Sequence, residues 1–222
     1  MPNKQALRYR ILGKKVIGRA IFILKDRFRN LSILELIPLL WLFLFKSERR
    51  LVYCISLQKS DAVDRNESSP FPIVKGELAD LERARKQLKR VPWEFNCDLY
   101  DGVKDFFVFR GTESGAIRHI SWIYYKGHPN RTLRLGDKEC EITNCLTLPE
   151  YRGKGLYPAA LRAIQRYVKE RGYETCFIYT RDDNLPSIRG IEKSGFHFVG
   201  QAFLLKIFGF QINLRRDMKY PK

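Results

Sequence analysis

The stretch Glu141–Tyr157, EITNCLTLPEYRGKGLY, constrains this chain more than any other. Glu141 to Leu148 is a short run rich in β-branched and apolar residues, which predicts a buried strand. Pro149 has no N–H for a sheet ladder and ends it. The basic turn Arg152-Gly153-Lys154-Gly155 follows. Leu156, Ala160, Leu161, Ile164 and Val168 then recur at helical spacing and predict a helix over Leu156–Val168. Strand, basic glycine turn and helix in this order aim free backbone N–H groups and a helix N-terminus at one point, which makes an anion site. The glycines let the backbone approach a phosphate with no Cβ in the way.

Two common phosphate motifs are excluded. Gly155 is not followed by the Lys and Ser/Thr of a Walker A loop. The third glycine of a dinucleotide-binding fingerprint is absent. The turn resembles the pyrophosphate loop of the GNAT superfamily of acyl-CoA N-acyltransferases, which reads Arg/Gln-x-x-Gly-x-Gly/Ala after a strand ending in proline. Arg152 and Gly155 match that pattern, and Tyr157 stands where the second Gly or Ala is usual. A second block, Asn184-Leu185-Pro186-Ser187-Ile188 followed by Glu192-Lys193-Ser194-Gly195-Phe196, resembles the family's later helix, which starts near an Asn and ends in Lys-x-Gly-Phe. A strand-like run, Thr175–Tyr179, lies between the two blocks. The resemblance is clear over Glu139–Leu205 and faint from Leu51 onward. It implies an α+β (mixed α/β) fold with a central, mostly antiparallel sheet flanked by helices.

The first fifty residues fall outside it. They carry twelve Lys and Arg against Asp26, Glu35 and Glu48, so more than half of the net +17 charge sits in less than a quarter of the chain. Residues 4–30 mix these cations with apolar residues at helical spacing, although Gly13 and Gly18 weaken a helix there. Leu31–Phe45 is strongly apolar but fifteen residues long and holds Glu35 and Pro38, against the roughly 20 residues a simple span needs. The expected organisation is a helical basic and apolar extension over residues 1–48 and an acyltransferase-like domain over 49–222. The extension fits an anionic membrane surface, a homodimer contact or packing on its own domain. Nucleic acid is not expected, because no recognition motif is present and the arm is too apolar for a phosphate-tracking tail. Five cysteines with no CxxC spacing, and no evident signal peptide, predict a cytoplasmic chain without a disulfide framework, peripheral to the inner face of the membrane if the extension docks there.

Further along, Leu51–Leu57 reads as a first strand and Ser60–Pro72 as a loop. Glu77–Arg90 reads as an amphipathic helix, and Asp105–Arg110 and Ala116–Tyr125 as an antiparallel pair. Ala202–Ile207 reads as a last strand before a basic tail. No metal site is expected.

The resemblance implies acetyl-CoA as acyl donor and a primary amine as acceptor. The turn Arg152, Gly153, Lys154, Gly155 with Leu156 and Tyr157 would hold the pyrophosphate. The main chains of Cys145, Leu146 and Thr147 would face the pantetheine and thioester, and Asn184 and Ser187 would contact CoA or serve the start of their helix. Glu141 stands where some relatives carry a glutamate base. Alternation would place it on one strand face with Thr143, Cys145 and Thr147, and His119 is the next candidate for the base. The usual tyrosine acid falls at Ile191, which leaves Tyr179, Tyr157 or water to protonate the leaving thiolate. The basic arm favours an acceptor that is near a membrane or carries phosphate, and an amino sugar of a bacterial envelope precursor fits. A protein amine, a small amine, or a non-catalytic CoA-binding module docked on a membrane are the alternatives.

Overall fold

The computed structural model describes residues 45–58, 72–103, 105–110, 115–128, 132–207 and 210–218. Residues 1–44, with the amphipathic and apolar stretches expected there, lie outside them, as does most of the loop expected over 60–72. In chain order the elements are β1 (Phe45–Ser56), β2 (Ile73–Lys75), α1 (Leu78–Gln87), a 3-10 turn at Trp93–Asn96 running into α2 (Cys97–Asp101), β3 (Phe106–Arg110), β4 (Ile117–Tyr125), β5 (Glu139–Thr147), a 3-10 turn at Pro149–Tyr151, α3 (Leu156–Glu170), β6 (Thr175–Arg181), α4 (Leu185–Glu192), β7 (His197–Ile207) and β8 (Phe210–Met218).

The strands form one eight-stranded sheet in the order β2-β3-β4-β5-β6-β1-β7-β8. Among the described strands only the β5/β6 pair is parallel, and the helix α3 makes that crossover. β1 is inserted between β6 and β7, antiparallel to both, so the first described strand closes the second half of the sheet.

The two faces are covered differently. On one, α3 buries Leu161, Ile164 and Val168 against Ile123, Ile142, Ile178, Tyr53 and Ile55, and Leu156 and Ala160 are buried as well. The four larger of these side chains, at about 1.5–3 kcal/mol each, explain why the helix follows its apolar spacing. The opposite face packs Leu81 and Ala84 of α1 and Phe95 on Phe106, Trp122 and Tyr124. Farther along the same face, Leu133 and Leu135 of the β4–β5 connection cover Val52, Cys54 and Phe177. The start of α1 is fixed by a reciprocal cap, with the Glu77 amide donating to Asp80 Oδ2 at 2.8 Å.

Three sequence expectations change. The basic tail contains β8, which pairs with β7 along its length. Arg215, Arg216 and the neighbouring polar residues break the apolar pattern by which a strand is read. The first strand begins at Phe45, so the sheet takes up the last residues of the stretch assigned to the extension. The alternation expected along β5 is interrupted by a bulge.

Candidate active site

β5 runs parallel to β6 only from Glu139↔Thr175 to Ile142↔Ile178. Both strands then continue but separate, β5 to Thr147 and β6 to Arg181. The backbone of β5 that would face β6 beyond Ile142 opens instead onto a cleft of about 1140 Å³. The cause is visible on the other side of β5. Ile120 pairs with Leu146 and Trp122 with Thr143, so Ser121 alone opposes Asn144 and Cys145. The extra residue is a β-bulge, which bends the strand and increases its twist. Asn144 takes φ +49° there, a left-handed conformation that asparagine accepts more readily than most residues. Its Nδ2 donates to Tyr124 Oη at 2.8 Å.

The bulge also shifts the side-chain phase. Glu141 and Thr143 stay on one face, while Cys145 packs with Tyr157 on the α3 face and Thr147 Oγ1 meets His119 there. The expected grouping of Glu141, Thr143, Cys145 and Thr147 on one face therefore splits into two pairs.

The basic turn lies at the mouth of the cleft. Gly153 and Gly155 adopt φ +76° and +80°, and Gly155 is the N-cap of α3 with no side chain bonded to the helix. The first-turn N–H groups of a helix have no intrahelical partner, and Pro158 supplies none of its own. The result is a short set of exposed donors with a positive helix end behind them, which is the arrangement that holds phosphate oxygens. Arg152 Nε donates to the Thr147 carbonyl at 3.2 Å, tying the turn to the end of β5. Lys154 stands over the Tyr151 ring at 5.2 Å.

α4 forms the other wall. Asn184 Oδ1 accepts from the Ser187 amide at 3.3 Å and caps the helix. Gly190 faces the Tyr157 ring so closely that a Cβ would lie 2.6 Å from a ring carbon. Tyr157 thus fills the space beside α4, and its hydroxyl lies 3.3 Å from Ser187 Oγ. Burial pushes the Tyr157 hydroxyl well above its ordinary value, so it remains protonated. Burial also pushes the Cys145 thiol up to about 12, which keeps it a thiol and a poor nucleophile. Ile191, where a relative's tyrosine would stand, is fully buried in the core.

His119 is buried too, with Nδ1 2.8 Å from Thr147 Oγ1 and Nε2 2.8 Å from Ser121 Oγ. Burial lowers its pKa to about 3, so the ring is neutral at pH 7 and unsuited to accept a proton. A histidine whose folded pKa lies below its unfolded value of 6.5 costs nothing above pH 6.5. As pH falls from there toward 3, only the unfolded chain gains the proton. Stability should therefore fall by up to about 1.4 kcal/mol per pH unit from this residue between pH 6 and 4. Denaturant titrations of wild type and His119→Gln across that range check this. An equal slope in the two proteins would mean the ring is not held neutral.

On the face opposite α3, Thr143 Oγ1 and Tyr179 Oη are 2.8 Å apart at the point where the strands separate. Burial, with the charge of Glu141 second, pushes Tyr179 up to about 12. Arg50 on β1 lies 5.8 Å from the centre of the Tyr179 ring. Glu141 itself is fully buried. Its Oε1 accepts the Thr132 amide at 2.9 Å and its Oε2 the Leu133 amide at 2.7 Å.

Of the residues singled out from the sequence, the cleft lining contains Cys145, Leu146, Thr147, Arg152, Gly153, Gly155, Leu156, Tyr157, Tyr179, Asn184 and Ser187. Glu141 and Lys154 lie outside it. Arg50, Tyr124, Asn144 and Gly190 line it without having been read as site residues. A glycine beside the position where relatives carry tyrosine was the one available signal. Among the described residues no cluster of His, Cys, Asp or Glu is placed to hold a metal ion, and no helix is long and apolar enough to cross a membrane.

The opened parallel strand pair, the glycine turn capping α3 and the Asn-capped α4 together define an acyl-CoA N-acyltransferase architecture. The model of the Acetyltransferase (GNAT) family matches residues 84–196, just over half of the chain, and the chain belongs to that family. No curated protein matches the sequence significantly. Among solved structures, a GNAT-family acetyltransferase from Colwellia psychrerythraea superposes with TM-score 0.51 at 13% identity, covering 85% of this chain and 71% of that one. The glucosamine N-acetyltransferase region of a fungal multi-domain GH3 β-N-acetylglucosaminidase gives 0.52 at 14% identity, covering 72% of this chain and 21% of that protein. A GNAT-family putative acetyltransferase from Novosphingobium aromaticivorans DSM 12444 gives 0.49 at 20% identity, covering 71% of this chain and 63% of its own, less than two thirds of that protein's length. The likenesses with TM-scores above 0.5 show the fold.

Proposed function

We propose that the protein is an acetyl-CoA-dependent N-acyltransferase whose acceptor is the primary amine of an amino sugar. The observation that carries the transferase reading is the parting of β5 from β6 after Ile142 beside the glycine turn that starts α3 without a side-chain cap. Acetyl-CoA supplies the acyl group as a thioester. The turn Arg152–Gly155 with the amides of Leu156 and Tyr157 holds its pyrophosphate, Asn184 and Ser187 flank its arm, and the open backbone of Cys145–Thr147 orients the thioester and offers N–H groups to the oxyanion. The amine enters from the opposite face, at Thr143 and Tyr179, and its nitrogen bonds to the carbonyl carbon as the C–S bond breaks. The amine gives up a proton to water in the cleft, and the thiolate takes one from a tyrosine hydroxyl that water then reprotonates. Tyr157, protonated and on the CoA side, is positioned to supply the thiolate; Tyr179 lies on the amine side. Cys145 remains a thiol, so transfer is direct and not through an acyl-cysteine.

Glu141 contributes from behind the wall. It fastens the loop at Thr132 and Leu133 and places negative charge behind Tyr179. An amino-sugar acceptor draws on the basic character of the chain, which suits phosphate-bearing precursors, and on the fold's occurrence in a region described as a glucosamine N-acetyltransferase. Docking of residues 1–44 on an anionic membrane is read from their sequence and is tested by sedimentation with anionic against neutral vesicles. The buried Ile191 favours a second reading, a CoA-binding module without chemistry. Incubation of the purified protein with acetyl-CoA and a panel of amines, with free thiol as the readout, separates the two. Thiol release that depends on an amino sugar is expected. Stabilisation by acetyl-CoA without amine-dependent thiol release would overturn the enzyme reading.

A further inference from the structure

The cleft passes through the opened sheet and its two sides differ in charge. Arg152, Arg189 and Lys193 belong to the turn and to α4, on the α3 side. Glu192, the one carboxylate of the lining among the described residues, also sits on α4. Among the described residues the amine side holds Tyr124, Thr132, Thr143 and Tyr179, all neutral, and a single cation, Arg50. Neighbouring arginines are closed off at the surface: Arg49 by Asp182, with Nε 2.8 Å from Oδ2, and Arg181 by Asp183, with Nε 2.8 Å from Oδ1. Arg50 is different. Its Nη2 pairs with Glu48, but its Nε is buried and has no hydrogen-bond partner among the described residues. The side chain is 19% exposed, and its guanidinium lies beside the Tyr179 ring, one ring away from the hydroxyl that meets Thr143.

A buried guanidinium N–H left unbonded is unfavourable unless another group completes it. Arg50 lines the cleft, so its guanidinium is within reach of a ligand bound there. The planar donor edge of arginine matches the paired oxygens of phosphate or carboxylate. We propose that the acceptor is an anionic amine, and that Arg50 holds its phosphate or carboxylate on the face opposite α3 while the amino group reaches Thr143 and Tyr179. This rests on the N-acyltransferase reading above and specifies the substrate class of that site. A cationic polyamine would meet Arg50 with no carboxylate of the lining on that side to answer its charge.

Two matched pairs of amines test it and separate the two sources of oxyanion: glucosamine 6-phosphate against glucosamine, and L-phenylalanine against L-phenylalaninamide. In wild type the anionic member of at least one pair should have the higher kcat/KM, on the order of tenfold or more, mainly through KM. Arg50→Gln alone removes the cation paired with the buried Glu48 carboxylate and can fail to fold, so the decisive variant is Glu48→Gln with Arg50→Gln, a neutral pair. It should keep its melting point near wild type and lose the preference. Arg50→Lys, a point charge without the planar edge, should retain part of it. Equal use of both members of each pair, or a preference that survives the double variant, would overturn the proposal. Melting curves with CoA plus each amine distinguish its failure from failure of the transferase reading. If no amine is acetylated but an anionic one still raises the melting point in an Arg50-dependent way, the Arg50 site stands and the chemistry does not. If no anionic amine raises it, the Arg50 site is refuted.

Discussion

Replacing Arg152 by Glu together with Gly155 by Val should abolish the stabilisation that acetyl-CoA gives the wild-type protein. A ligand bound only to the native state at a hundred times its Kd adds about 2.7 kcal/mol, which for a chain of this size raises Tm by roughly 5–10 °C. The double variant removes that gain by two routes. Glu at residue 152 sets a negative charge where the phosphates must lie. Valine at residue 155 must hold φ near +80°, a conformation that costs a β-branched residue on the order of 1–3 kcal/mol, so the turn rearranges and its amides lose their common aim. The test stays clean because a Cβ at Gly155 meets nothing within 4 Å; the core under α3 is not overpacked, and the unliganded Tm should fall only by the strain. Differential scanning fluorimetry with and without acetyl-CoA measures both. A shift as large as that of wild type would exclude the turn as the pyrophosphate seat.

That turn was legible in the sequence because its chemistry is local. Two glycines, two cations and a following apolar helix encode a backbone shape within a few residues, and the structure puts Arg152–Gly155 and α3 where the spacing predicts them. The Asn184 cap was legible for the same reason. What could not be read depends on partners far apart in the chain. The bulge at Asn144 and Cys145 arises from the register between β4 and β5, and one added residue sends every side chain after it to the other face, which moved Cys145 and Thr147 away from Glu141. Nothing in the sequence around Gly190 marks it; the Tyr157 ring, packed against it from α3, explains it. Arg50 lies on a strand whose place between β6 and β7 is a matter of topology, and no local pattern marks it as part of the cleft. β8 was hidden by its charges, since strand alternation fails when the sequence is basic on more than one face.

Glu141→Gln should lower both stability and turnover while leaving the shape of the pH–rate profile unchanged. The wild-type carboxylate accepts two backbone amides, one on each oxygen, in a fully buried position. A glutamine has one oxygen and one NH2 there, so whichever way it turns, one of the Thr132 and Leu133 amides faces a donor. Stranding one buried amide costs about 1–3 kcal/mol, or roughly 2–10 °C in Tm. The connection carrying Leu133 and Leu135 then loosens from Val52, Cys54 and Phe177, and with it the wall that holds Thr132, Thr143 and Tyr179. Turnover falls through this loss of geometry, since a small misplacement at a positioning wall can cost on the order of 10² in rate. Affinity for CoA, seated on the other face, should change little. A glutamate that accepts the amine proton directly predicts something different: its removal would cost a similar factor and would also erase or move the acidic limb of kcat/KM. Measuring kcat/KM against pH for the two proteins, beside their melting points, therefore decides the role. A parallel, lowered profile with a reduced Tm fixes Glu141 as the residue that holds the wall, and a lost limb at unchanged Tm would give it the proton instead.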